Sequence, residues 1–217
     1  MINNTDIYTG TDYMQLKMGG AFLFQGESLY VNCSLIEGNN GFMGGAFMVN
    51  LNNYQSQTVL IENSVFGLNT AGYGAVFGFI QTIEKVNLIL QENYFFQNVA
   101  NRKFFIILKT KKIIVGGVLY LKSPLFQSNI TVLSNYFYKG QAIWGAYFDI
   151  ELYVSVIFEN NAFLEGVAKE FIPADAIGTG SLFILIGVFN SSFAQYVGYN
   201  NKHFLGWAEN KGFFHIK

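Results

Sequence analysis

The stretch "IENSVFGLNTA", Ile61 to Ala71, returns one period later as "LQENYFFQNVA", Leu90 to Ala100. Set beneath them, "VNCSLIEGNNG", "VLSNYFYKGQA", "FENNAFLEGVA" and "VFNSSFAQY" keep the same frame. Ile36, Phe66, Phe95, Phe137, Phe163 and Phe193 then share a column, which breaks at Tyr196. Val31, Ile61, Leu90, Val132, Phe158 and Val188 form a second column, and Leu29, Val59, Leu88, Ile130, Val156 and Ile186 a third, two residues upstream. A spacing of two with β-branched residues and polar residues between them is the signature of a strand with one buried face.

Three residues after the aromatic come Asn39, Asn69, Asn98, Gly140 and Gly166, residue types that tolerate the left-handed backbone of a sharp corner. Next the chain reaches small residues: Gly44 and Gly45, Gly74, Gly116 and Gly117, Gly145, and Gly180. A further apolar strand follows each. Glycine here supplies a tight bend where a β-carbon would clash with the same bend one period on. From Ile36 the aromatic column advances by 30, 29, 42, 26 and 30 residues. Hairpins recur roughly every 8–12 residues, so these steps are full turns of a solenoid. The pattern predicts an all-β, right-handed single-stranded parallel β-helix of about six to seven coils of about 26–30 residues, stacked at roughly 4.8 Å. Insertions are expected near 99–115 and 168–178, both leaving the coil between the asparagine and glycine corners. Residues 1–217 read as a single domain, a segment of a longer surface protein or a subunit of an assembly.

The phrases "FGLNTAGYGAVF", "FFQNVA", "MGGAFMV" and "VGGVLYL" resemble the paired F-x-x-N and G-G-A motifs of polymorphic outer-membrane-protein repeats, and of similar repeats in pectin-lyase-like surface proteins of single-celled eukaryotes. The resemblance runs from about Gly19 to Phe193 through the joint recurrence of the two motifs. It implies a right-handed β-helix used for adhesion, display or surface architecture, usually without catalysis. Gly140 and Gly166 depart from it by standing where asparagine is expected.

Composition narrows the function. Charged residues are 12% of the chain, hydrophobic residues 51% and aromatic residues 18%, too little charge for an ordinary solvated monomer. A net charge of −1 excludes a general nucleic-acid binder, which needs a basic surface to displace phosphate counterions. The lone Cys33 excludes an internal disulfide framework and reads as a small buried hydrophobe. No apolar stretch reaches the roughly 20 residues of a membrane-spanning helix. The chain opens without a signal-peptide pattern. It ends on "GFFHIK", still reading as strand, which predicts open coil ends able to add to another chain.

Catalytic sets are sparse. Asp149 and Glu151, with Asp175, are the best acidic cluster, but the equivalent positions of the adjacent coil are Tyr120 and Lys122. Polysaccharide-cleaving enzymes of this fold need clustered carboxylates, so these acids read as surface groups and no catalytic residue is assigned. His203 and His215 lack ligands at metal spacing, and neither a metal nor a cofactor is expected. The polar column Ser34, Ser64, Asn93, Asn135, Asn161 and Ser191 reads as a scaffold ladder.

Contact surfaces remain. If Ala46 and Met48 point inward, Phe22, Phe47, Val76, Leu119, Tyr147 and Leu182 form an outward apolar column that is expected to be covered, by a neighbouring chain in preference to the insertions or another segment of the same protein. Arg102, Lys103, Lys109, Lys111 and Lys112 form a basic loop, read as solvated in preference to a site for an anionic partner. Asn3, Asn32, Asn129 and Asn190 open N-glycosylation sequons. The expectation is a non-enzymatic structural or adhesive module, extracellular or at the cell surface, with other chains or surface glycans as partners. The alternative is a carbohydrate-active or carbohydrate-binding β-helix.

Overall fold

The computed structural model describes residues 20–25, 28–50, 56–80, 85–100, 117–122, 128–142, 147–151, 154–168, 183–186, 196–204, 207–208 and 214–216. Among them are strands and tight turns and no helix. One circuit runs Ser56–Glu62, Val65–Gly67, Thr70–Ala71 and Phe77–Ile80, and the next opens at Lys85–Gln91. Each strand of a circuit enters a different sheet and pairs in parallel with its counterpart in the circuits on either side. Four parallel sheets of six, six, five and seven strands result. We call them, in circuit order, the long-strand, phenylalanine, short and glycine-led sheets.

The columns read from the sequence are ladder partners. Val59, Leu88 and Ile130 align, as do Ile61, Leu90, Val132 and Phe158, all buried. Ile36, Phe66, Phe95, Phe137 and Phe163 form the interior of the phenylalanine sheet. Their rings stack at 5.2, 4.9 and 4.7 Å from Phe66 to Phe163, within 12° of parallel. Each such pair adds about 0.5–1.5 kcal/mol to the burial of the rings.

The sixth circuit departs from expectation. Tyr196–Tyr199 pairs with Val156 to Glu159, and His203 takes the place beside Phe163 that was expected for Phe193. Ile186 lies instead in the glycine-led sheet, opposite Glu151. Val188, Ser191, Phe193 and Gly180 fall outside the described residues. The polar column continues to Asn201, 40 residues beyond Asn161. Both "VFNSSF" and "YNNKHF" have the strand-polar-aromatic composition, but only the second places an asparagine where the Asn161 amide needs an acceptor.

Two corners of each circuit are built alike. At the first, Ser34, Ser64, Asn93, Asn135, Asn161 and Asn201 form a continuous ladder. The Asn93 backbone N–H and Nδ2 both donate to Asn135 Oδ1, at 2.9 and 3.1 Å, and Nδ2 also donates to the Ile61 carbonyl. Asn135 and Asn161 repeat the pattern toward Asn161 and Asn201. At the second corner Asn39 donates to Asn69 and Asn69 to Asn98 in the same way. The asparagines therefore satisfy buried backbone groups rather than take the left-handed conformation expected of them. That conformation belongs to the residue before: Gly38, Leu68, Gln97, Lys139 and Glu165 at one corner, and Cys33, Asn63, Glu92, Ser134, Asn160 and Asn200 at the other. Placing the preceding residue at positive φ turns the ladder side chain inward. Cys33 is accordingly exposed, not buried.

Gly140 and Gly166 end the second ladder, and Tyr147 replaces it. A β-carbon on Gly166 would lie 2.5 Å from the Tyr147 ring and 2.9 Å from its hydroxyl. That hydroxyl donates to the Leu164 carbonyl at 2.7 Å, as Asn135 donates to Leu133 two residues before itself. The Gly140 backbone N–H is directed at the same oxygen, as the Asn69 N–H is at Asn98 Oδ1. The phenol supplies the bonds of the missing asparagine.

In the glycine-led sheet the register is Phe22, Phe47, Phe77, Leu119, Phe148 and Phe183, one residue away from the expected column at Val76, Tyr147 and Leu182. Gly44 and Gly74 both need positive φ and so coincide, which sets Ala75 opposite Gly45. A β-carbon on Gly45 would lie 2.2 Å from the Ala75 carbonyl oxygen, so the close approach between successive bends is real.

Candidate functional site

The expected outward column is not a surface. Phe47, Val76, Leu119 and Tyr147 are buried within the chain itself. Phe47 and Phe77 meet the edge of the Phe66 ring at 6.3 and 5.3 Å, across the interior. Phe22, in the first strand of the sheet, is partly exposed and stacks on Phe47 at 4.9 Å; Leu182 lies outside the described residues. The reason is a parity error that a doubly apolar strand invites: Phe47 and Val49 face inward and Met48 faces the other way. Met48 is also buried, because the turn before the strand folds across that face. A β-carbon on Gly78, which pairs with Met48, would meet Met43 Cγ at 2.5 Å and the Gly44 nitrogen at 2.6 Å. Tyr73 of the following turn lies 5.1 Å from the Tyr120 ring. The chain covers that face itself at Met48 and Gly78.

The acidic candidates are placed by the sheet register. Asp149 stands between Tyr120 and Ile184, and Glu151 between Lys122 and Ile186, so neither has a carboxylate beside it in the ladder. Asp175 lies outside the described residues, as do Arg102, Lys103, Lys109, Lys111 and Lys112. His203 and His215 sit in different sheets, beside Phe163 and Ile184. Among the described residues no three metal-ligating side chains cluster. Asn32 is exposed at a strand end, where its amide donates to the Tyr30 hydroxyl. Asn129 is half-buried within a strand, between Asn87 and Ser155. Asn3 and Asn190 are not among the described residues.

Among the described residues an aromatic surface lies on the outer face of the phenylalanine sheet. On either side of the buried phenylalanines run two outward columns. One is Leu35, Val65, Tyr94, Tyr136, Ala162 and Lys202; the other is Glu37, Gly67, Phe96, Tyr138 and Leu164, with Phe204 next in the backbone register. Leu35, Tyr94 and Tyr136 are each 37% exposed. Tyr94 stacks on Phe96 at 5.5 Å and meets Tyr136 at 5.1 Å. Phe96 extends over Gly67, where a β-carbon would lie 2.1 Å from the ring.

Electrostatics keep this strip neutral. Partial burial, then the nearby Tyr136 and Tyr138, push the Tyr94 phenol above its ordinary range, so it remains a hydroxyl donor. Beside the strip, Lys139 lies 4.8 Å over the Tyr138 ring and 3.5 Å from Glu165. Its ammonium is held above the usual lysine range, first by the Tyr138 hydroxyl and then by Glu165. The sequence did carry a signal for this surface. "NYFFQN" and "NYFYKG" flank the inward phenylalanine with aromatics on both sides, where alternation calls for polar residues.

Compared with protein-family models, curated proteins and solved structures, the chain matches none.

Proposed function

We propose that the chain is a right-handed single-stranded parallel β-helix serving as a non-enzymatic structural or adhesive module, displayed outside the cell or on its surface. The right hand follows from the near-universal handedness of crossovers between parallel strands. The observation that carries the reading is the contrast between interior and surface. The inner corners are closed by ladders and the core by stacked rings, while a flat aromatic strip lies along the outside of the circuits. Rigid repeats with an apolar face suit lateral contact better than chemistry.

The test has two parts. Antibody against the purified chain should label intact, unpermeabilised cells that express it. Purified protein incubated with pectate, homogalacturonan and neutral glucans should release no reducing ends and no unsaturated products. Absence of surface label overturns the location, and turnover that disappears in Asp149→Asn overturns the non-enzymatic role.

A further inference from the structure

The strip's two columns carry only two charged residues, and these stand at opposite ends. Glu37 lies in the first circuit and Lys202 in the sixth, with Val65, Tyr94, Phe96, Tyr136, Tyr138, Ala162 and Leu164 between them. Lys139 and Glu165, at the neighbouring corner, already pair with each other. A surface with an apolar middle, a polar rim and unlike charges at its two ends is complementary to its own reverse.

The geometry points to a second copy of this chain as the occupant of the strip, packed antiparallel about a twofold axis that runs along the strands. This rests on the structural-module reading and names its partner. The rotation turns the first circuit of one copy toward the sixth of the other. Lys202 of each then meets Leu35 and Glu37 of its mate, and Tyr94 meets Tyr136 at the centre. The parallel alternative sets Glu37 against Glu37 and Lys202 against Lys202, which costs affinity. Six circuits at about 4.8 Å, with the two flanking corners, give a patch of about 24 by 20 Å. Two copies then bury about 1,000 Å², the lower end of specific interfaces, so the dimer forms in the micromolar range.

Sedimentation velocity of the full chain from 1 to 100 μM tests this. The native protein is expected to pass from monomer to dimer over that range. Tyr94→Lys with Tyr136→Lys should weaken the dimer about 100-fold, because charges enter its dry centre. Glu37→Lys and Lys202→Glu should each weaken it about tenfold, and the two together should restore it. These end substitutions lie outside the core, so they report on the interface even where the tyrosine variant folds poorly. A native monomer at 100 μM overturns the inference, and so do charge variants that leave the dimer unchanged or a double swap that fails to rescue. Such a failure with surface labelling intact removes the partner and leaves the module reading standing; loss of labelling with the dimer intact does the reverse.

Discussion

The two polar corners of this chain solve one problem in two ways. At the first, an unbroken ladder from Ser34 to Asn201 closes every circuit. At the second, the asparagines stop at Asn98, and the phenol of Tyr147 reaches in from a different strand to serve Gly140 and Leu164. An amide ladder is cooperative, since each side chain is both donor and acceptor to its neighbours. A ring is local: it fills volume, makes its two bonds, and leaves the rest of the corner alone. Damage to the first should therefore spread and damage to the second should not.

The largest effect is expected in the middle of the ladder. Asn135→Ala strips an acceptor from the Asn93 N–H and amide and a donor from the Leu90 carbonyl. Leaving several buried polar groups unpaired at about 1–3 kcal/mol each predicts a loss of about 5 kcal/mol in urea unfolding. A loss no larger than that of an exposed strand control such as Ser28→Ala would show that the ladder is ornamental.

Next comes Phe95→Ala, at about 3–5 kcal/mol, because it opens a cavity between Phe66 and Phe137. Tyr147→Ala should cost about as much, but here the contrast between the corners can be sharpened. Adding Gly166→Asn to Tyr147→Ala should recover about 2 kcal/mol by rebuilding the asparagine that the ring displaced, whereas Gly166→Asn alone should destabilise by collision with the ring. Equal effects in both backgrounds would refute the replacement.

Tyr147→Phe removes only the hydroxyl and should cost about 1–2 kcal/mol. It also has a pH signature. Burial raises the Tyr147 pKa well above the ordinary phenol value of 10.0, the Gly140 N–H opposing it only in part. The folded state thus holds the proton that the unfolded state gives up, and stability present below about pH 10 is lost as pH rises beyond it. Tyr147→Phe should flatten that alkaline loss, read as the shift in melting temperature between pH 9 and pH 11.

The smallest effect is a gain. Leu68 holds φ at 56° while exposed, a conformation that costs a β-carbon about 1–2 kcal/mol and suits asparagine or glycine better. Leu68→Asn should stabilise the chain by about 1 kcal/mol.

Much of the parallel architecture was legible because its columns are set by a period of two within strands and by a frame of strand and corner residues that returns in each circuit even where the step lengthens to 42 residues. Leu88 under Val59 and Phe95 under Phe66 needed only apolar identity to find. Three features were not legible, each for a stated reason. Both faces of the strand after Gly44 are apolar, so periodicity could not say whether Phe47 or Met48 faces inward. "NSSF" and "NNKHF" are equivalent as composition, and only hydrogen-bond geometry selects Asn201. The left-handed position was misplaced by one residue because a positive φ at Leu68 or Gln97 contradicts the preference of those residues, and it is imposed by the ladder beside them. The aromatic strip was visible in "NYFFQN" and "NYFYKG", but the search for an unpartnered face went to the glycine-led strand, whose cover is supplied by turns that carry no periodic signal.

The asparagine ladder has one more consequence, which is directional. From Asn93 to Asn201 every side-chain oxygen accepts from the preceding circuit, and from Asn93 to Asn161 every amino group donates to the next asparagine oxygen and also back to a carbonyl of the preceding circuit. Each amide carries a dipole close to that of a peptide unit, about 3.5 D, and here they align head to tail like the units of a helix. Rotating one amide by half a turn would set two amino groups against each other on one side and two oxygens on the other. The backbone pins each amide as well: a flipped Asn135 would turn its amino group on the Asn93 N–H and its oxygen on the Leu90 carbonyl, so reversing one amide or the whole column carries a cost at every rung. The backbone therefore fixes the sense of every amide separately, and the column carries one sense of polarisation through circuits whose parallel ladders have little net dipole of their own.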